Sequence, residues 1–155
     1  AKEVEYPTRF IELAGEINSS QPYFVVNNAL NHLGRKGIAW AKAKVLICGV
    51  AYKPDIDDIR ESPALKIIDL LEQEELDVQY HDPYIPVIPK TRKYNLHKKS
   101  VDLSVCTDKQ FDLIIIVTDH KTVDYHRLVD LGKIVLDTRN ALASRGLYAS
   151  HIYKS

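Results

Sequence analysis

Lys44-Val45-Leu46-Ile47-Cys48-Gly49-Val50-Ala51-Tyr52-Lys53-Pro54-Asp55-Ile56-Asp57-Asp58-Ile59-Arg60-Glu61-Ser62-Pro63-Ala64 holds the change of pattern on which the fold turns. Lys44 to Gly49 is a short β-branched run, which predicts a buried strand. Ser62-Pro63 opens a helix, with Ser62 as the cap and Pro63 at the first helical position. Ala64, Leu65, Ile67, Ile68, Leu70 and Leu71 continue it. About a dozen residues separate the strand from the helix. A loop of that length inside a compact unit is unusual and often functional.

Further along, the alternation repeats. Asp77 to His81 is a second strand, and Phe111 to Val117 a third. The continuous Leu113-Ile114-Ile115-Ile116-Val117 run implies burial on both faces of a parallel sheet. Tyr125 to Leu131 is a short helix, and Lys133 to Asp137 a fourth strand. Residues 141–155 read as a turn or helix before a last short strand at Ser150 to Tyr153. The expected fold is α/β, a Rossmann-like doubly wound parallel sheet with helices on both faces and right-handed crossovers. The chain shows no internal repeat. Lys90 to Lys99 carries Lys90, Arg92, Lys93, Lys98 and Lys99, and is expected to be a solvated loop.

Upstream of the sheet lies a long helix. Thr8, after Pro7, caps it, and Phe10, Leu13, Ala14, Ile17, Phe24, Val25, Ala29 and Leu33 recur at helical spacing. Pro22 predicts a kink or break, and Gly34 and Gly37 the end. From Thr8 to Leu33 such a helix would be roughly 40 Å long. It either links two domains or contacts a second subunit, or it lies kinked on its own domain. The expected division is a linker helix over 1–38 and a Rossmann-like domain over 39–155. With no Met in the chain, Ala1 is taken as a boundary inside a longer protein.

Composition excludes several classes. The 155 residues carry 21 basic and 21 acidic side chains, a net charge of zero that argues against a general nucleic-acid binder. No apolar stretch reaches the length of a membrane span, and no signal peptide precedes the first helix, so a cytoplasmic location is expected. The two cysteines, Cys48 and Cys106, form no CxxC pair, and no metal motif is visible. Cys48, inside an apolar run, is expected to be a small buried hydrophobe.

Ligands of an open parallel sheet bind beyond the carboxyl ends of its strands. Candidates are therefore Gly49 to Lys53, Asp82-Pro83, Thr118-Asp119-His120 and Asp137 to Asn140. A dinucleotide fingerprint requires G-x-G-x-x-G directly before a helix, and here Gly49 stands alone. The sheet is thus a poor site for NAD at its first crossover. Lys53 suits a phosphate or carboxylate, Tyr52 a sugar or base, and Arg60, beside a helix amino terminus, an anion. Alternatively the loop neutralises itself, since Asp55, Asp57, Asp58 and Glu61 lie close by. Arg139 can grip phosphate with its fork or pair with Asp137 or a loop carboxylate. Asp119-His120 is either weak acid-base machinery or a satisfied hydrogen-bonding pair, and His81-Asp82-Pro83 most simply makes a turn.

The whole stretch from Gly49 to Ala64 resembles the signature of the UDP-glucose/GDP-mannose dehydrogenase family. In that family's carboxy-terminal domain a G-x-x-[FY]-K loop is followed by D-x-R-x-S. Tyr80-His81-Asp82-Pro83-Tyr84, Thr118-Asp119-His120 and Asp137-Thr138-Arg139-Asn140 fall in the family order. Arg9 to Asn18 is similar to the helix that joins the family's middle domain to this one. The resemblance implies binding of a UDP-sugar by Tyr52, Lys53 and Arg139, with Arg60 approaching NAD across a domain cleft. It implies an NAD-dependent oxidation of the sugar C6 alcohol to a carboxylate, in polysaccharide biosynthesis, by a homodimer whose amino-terminal domain holds NAD. The wording of the loop is most similar to members acting on UDP-N-acetylhexosamines. Neither cysteine stands in the family's nucleophile motif, so this chain alone is expected to be inactive. Alternatives are a stand-alone nucleotide-binding or regulatory module of flavodoxin-like shape and a purely structural dimerisation domain.

Overall fold

The computed structural model describes residues 20–155. Five strands form one parallel sheet: β1 (Lys44–Cys48), β2 (Asp77–His81), β3 (Phe111–Ile116), β4 (Gly132–Asp137) and β5 (Ile152–Lys154). Their order is β2-β1-β3-β4-β5. The chain leaves β1 to one side for β2 and returns to its other side for β3, so the strand order reverses between β1 and β3. A crevice opens at such a switch point, at the carboxyl ends of the strands.

Three α-helices are described. α1 is helical over residues 20–35, α2 spans Pro63–Gln73 and α3 spans Tyr125–Leu131. The period of two along the central strands divides their side chains between two cores. Val45, Ile47, Leu113, Ile115, Ile134 and Leu136 face α1 and α2. Leu46, Cys48, Ile114, Ile116 and Val135 face α3. Each fully buried Ile or Leu contributes roughly 1.5–3 kcal/mol, which explains why β3 needs an unbroken aliphatic run.

Local chemistry sets the helix ends. Ser62 Oγ accepts from Ala64 N (3.2 Å) at the start of α2, with Pro63 at the first turn. α1 closes in a Schellman motif: Ile38 N donates to Leu33 O (3.0 Å), and Gly37 N to Gly34 O (3.0 Å). Gly37 takes the left-handed position at φ 70°. α2 ends the same way, with Leu76 N on Leu71 O (3.2 Å) and Glu75 at φ 66°.

α1 lies on its own sheet. Val25, Val26, Ala29, Leu30 and Leu33 join the core shared with α2, and the His32 ring sits 4.3 Å from that of Tyr153 on β5. The part of the expected helix from Thr8 to residue 19 lies outside the described residues. Pro22 falls within the described helix; the turn before it, where a kink is expected, is not described.

The β2–β3 crossover contains no α-helix. Its residues instead bridge back to the sheet at Ser100, opposite Tyr80, and form a short 3-10 turn at Leu103–Val105. Ile85 and Ile88 fill the space a helix would cover. The Lys90–Lys99 stretch is mostly exposed, although Lys98 Nζ reaches Val78 O (2.7 Å). The ambiguous tail resolves into a 3-10 turn, Ala143–Arg145, followed by β5.

Candidate functional site at the carboxyl edge of the sheet

Beyond β1 the chain turns at Gly49, whose φ is 89°. A Cβ there would stand 2.5 Å from Thr118 Cβ, so only glycine lets the ends of β1 and β3 approach this closely. Thr118 Oγ1 then donates to Ala51 O (2.8 Å), tying the start of the β1–α2 loop to β3.

Behind the loop sits a buried acid. Asp82, 1% exposed at the end of β2, accepts from Val50 N (2.8 Å) and Ala51 N (3.1 Å) through Oδ2, and from Tyr84 N (2.8 Å) through Oδ1. His120 Nε2 lies 2.9 Å from the same Oδ2. His120 Nδ1 accepts from Asp55 N (2.8 Å), which leaves the ring proton on Nε2 for Asp82. Burial alone pushes the Asp82 carboxyl up, but the bonds from His120, Val50 and Tyr84 outweigh it and hold it below the usual carboxylate range. Sequence reasoning took Asp82 for a turn residue. It does cap that turn, but its other partners are 31 to 38 residues away. An acid at the end of the strand beside the switch point was the available signal.

Tyr52 and Lys53 follow directly on this anchored segment and are exposed. Lys53 Nζ stands 5.5 Å from the centre of the Tyr52 ring and, among the described residues, pairs with no carboxylate. The self-neutralising loop is therefore realised only at Arg60, whose Nε and one terminal nitrogen engage both oxygens of Asp58 (3.1 and 2.9 Å). Arg60 is 86% exposed and lines a broad groove with Tyr23, Lys66, Arg92, Lys93 and Tyr94. That groove lies between α1, the start of α2 and the Pro89–Tyr94 loop.

Arg139 follows β4. Its guanidinium does not pair with Asp137, whose carboxylate instead accepts from the amides of Arg139 (3.0 Å), Ala141 (3.2 Å) and Leu142 (2.9 Å). Arg139 Nε donates to Val117 O (2.8 Å), and its two terminal nitrogens have no partner among the described residues. Val117 neighbours Thr118, which holds Ala51, which precedes Tyr52 and Lys53. Tyr52, Lys53 and Arg139 thus share the switch-point edge, while Arg60 stands at the far end of the loop.

Asp119 and His120, adjacent in sequence, serve different networks. Asp119 Oδ1 pairs with Arg145 (2.9 Å) and accepts from Tyr125 Oη (3.0 Å), with the Arg145 guanidinium 4.3 Å from the Tyr125 ring centre. Sequence reading gave no hint of Arg145. Both cysteines are buried. Burial, then the charges of Asp82, Asp119 and Asp137, push the Cys48 thiol far up, and burial also raises Cys106. Neither is an available nucleophile.

The first crossover does not fit a dinucleotide. The Val50 and Ala51 amides that would meet a pyrophosphate are occupied by Asp82, and α2 begins only at Pro63. Among the described residues no group of His, Cys, Asp and Glu could hold a metal, and no helix is long and apolar enough to cross a membrane.

Residues 46–144 match the UDP binding domain of the UDP-glucose/GDP-mannose dehydrogenase family. The chain belongs to this family. This UDP binding domain is 31% identical over 142 residues to a UDP-N-acetyl-D-mannosamine dehydrogenase of Methanococcus vannielii, covering 86% of the chain and 31% of that protein. It is 33% identical over 154 residues to the corresponding enzyme of Methanocaldococcus jannaschii, covering 94% and 33%. Among solved structures, the UDP-N-acetyl-mannosamine dehydrogenase of S. aureus superposes with a TM-score of 0.69 at 27% identity, over 97% of the chain and 34% of that enzyme. The chain spans about a third of the length of the curated relatives it matches.

Proposed function

We propose that this domain is the carboxy-terminal, UDP-sugar-binding part of an NAD-dependent nucleotide-sugar 6-dehydrogenase. Lys53 and Arg139 hold the diphosphate, and Tyr52 lies against the sugar or base. The carrying observation is a pair of cations at the switch point that no carboxylate among the described residues neutralises, in a family described by its binding of UDP. Arg139 is tethered by Nε, so its fork loses little freedom on meeting a phosphate. Arg60 reaches NAD held by another part of the protein. The substrate class is a UDP-N-acetylhexosamine, in keeping with the names of the relatives.

Calorimetric titration of UDP into the 155-residue chain tests this reading. Lys53→Ala and Arg139→Ala should each weaken binding by about tenfold or more, the value of one charge-assisted contact. Arg92→Ala, in the separate groove, should bind as the unaltered chain does. Equal affinity in all of them would overturn the assignment. With its thiols buried, the chain by itself should not oxidise the sugar. Mixed with NAD and a UDP-N-acetylhexosamine, it should give no NADH absorbance; steady NADH formation would contradict this.

A further inference from the structure

The β1–α2 loop bears Tyr52 and Lys53 but has no regular structure of its own between Ala51 and Ser62. Its geometry comes from contacts with the sheet and from bonds within the loop. Thr118 holds Ala51 O (2.8 Å) and Asp82 holds the Val50 and Ala51 amides at one end. Asp58 O accepts from Tyr52 N (2.7 Å), folding the loop back on itself. Between these points the chain is gripped by His120, whose Nδ1 accepts from Asp55 N (2.8 Å), and by Asp55 Oδ1, which accepts from Lys121 N (2.8 Å).

His120 is fully buried, and the hydrogen bonds of its ring go to Asp82 and to the loop. One ring nitrogen is fixed by buried Asp82, the other engages the loop, and the Tyr84 ring lies against it at 4.8 Å between centres. Asp55, at φ 62°, is held in a left-handed conformation that a free loop would rarely keep. A histidine whose two nitrogens bridge a rigid strand end to a strained loop residue is built to fix that loop.

We propose that His120 is a positioning residue for nucleotide binding: oriented by Asp82, it hooks the Asp55 amide and thereby sets where Tyr52 and Lys53 stand. The proposal rests on the UDP-binding reading given above. It extends that reading to a residue that does not touch the nucleotide.

Two substitutions separate the nitrogens. His120→Gln keeps a donor for Asp82 where Nε2 stood but offers no acceptor to Asp55. His120→Asn places an oxygen where Nδ1 stood but leaves Asp82. Amide hydrogen exchange without ligand reads the hook directly. In His120→Gln, Asp55 and its loop neighbours should exchange at least ~tenfold faster while β3 amides keep their protection. In His120→Asn the Asp55 amide should stay protected. UDP affinity should fall about tenfold in His120→Gln and stay within about twofold in His120→Asn. In a Lys53→Ala background, His120→Gln should cost little more, because both act through the same contact.

Unchanged loop exchange and UDP affinity in His120→Gln would overturn the proposal. So would a fully additive loss in the Lys53→Ala background, which would make His120 a general support of the fold. If His120→Gln does not fold, His120→Asn decides: weakened UDP binding with a protected Asp55 amide contradicts the hook. An unaltered chain that ignores UDP, or Lys53→Ala binding as well as it does, sinks the nucleotide reading and the proposal with it. The ligand-free exchange data distinguish that failure from loss of the hook.

Discussion

Asp82 shows how a single side chain can organise the site. It accepts from three backbone amides and from His120, all while nearly inaccessible to water. Asp82→Asn would turn an amide donor towards at least one of these donors. The cost should be about 3 kcal/mol, the scale of a charged hydrogen bond lost with its partner left buried. For a chain of this size that lowers Tm by roughly 10 °C. The bonds to Asp82 hold its folded-state pKa below the ordinary value of 3.8. Its stabilisation is therefore present above that value and is lost as pH falls through the depressed folded-state pKa. Thermal melts across the acid range should show the unaltered chain losing stability more steeply below about pH 4 than Asp82→Asn. Parallel curves would show that folding leaves the Asp82 pKa unchanged, against the bonds it accepts.

Elements with one dominant physical cause were legible in the sequence. β3 is a strand because only burial on both sheet faces accommodates Leu113 to Ile116 in an unbroken run, and the two cores divide those residues by alternation. α2 begins at Ser62 and Pro63 because cap chemistry is local. Loops were less legible, since sequence distance does not say which charges meet. Arg60 pairs with Asp58 two residues away. Lys53, equally close to Asp55, does not, and the Asp55 carboxylate accepts from the Lys121 amide instead. In the long β2–β3 crossover the Lys90–Lys99 loop was legible from its charge, but the burial of Ile85 and Ile88 against the sheet was not, since two apolar residues are too few to set a period. The rim carrying Tyr52, Lys53 and Arg139, with Asp82, Thr118 and His120, could be anticipated from the carboxyl ends of the strands. Which partners Asp82, Thr118 and His120 hold could not, since those partners lie across the sheet.

At the scale of the molecule, the two ends of the parallel sheet differ. Its amino-terminal strand ends carry ordinary surface pairs, such as Lys133 with Asp112 (2.9 Å). At the carboxyl ends Lys53 and Arg139 pair with no carboxylate among the described residues, and the buried Asp82 carboxylate fixes the Val50 and Ala51 amides just before Lys53. The chain is about a third the length of the relatives it matches, and two separate basic features face outward from its described residues. One is the switch-point pair of Lys53 and Arg139; the other is the groove of Arg60, Lys66, Arg92 and Lys93. A crystal structure of the chain with UDP discriminates between them. The diphosphate is expected within hydrogen-bonding distance of Lys53 Nζ and the terminal nitrogens of Arg139. A diphosphate seated instead in the Arg60–Arg92 groove, with Lys53 and Arg139 untouched, would contradict the account.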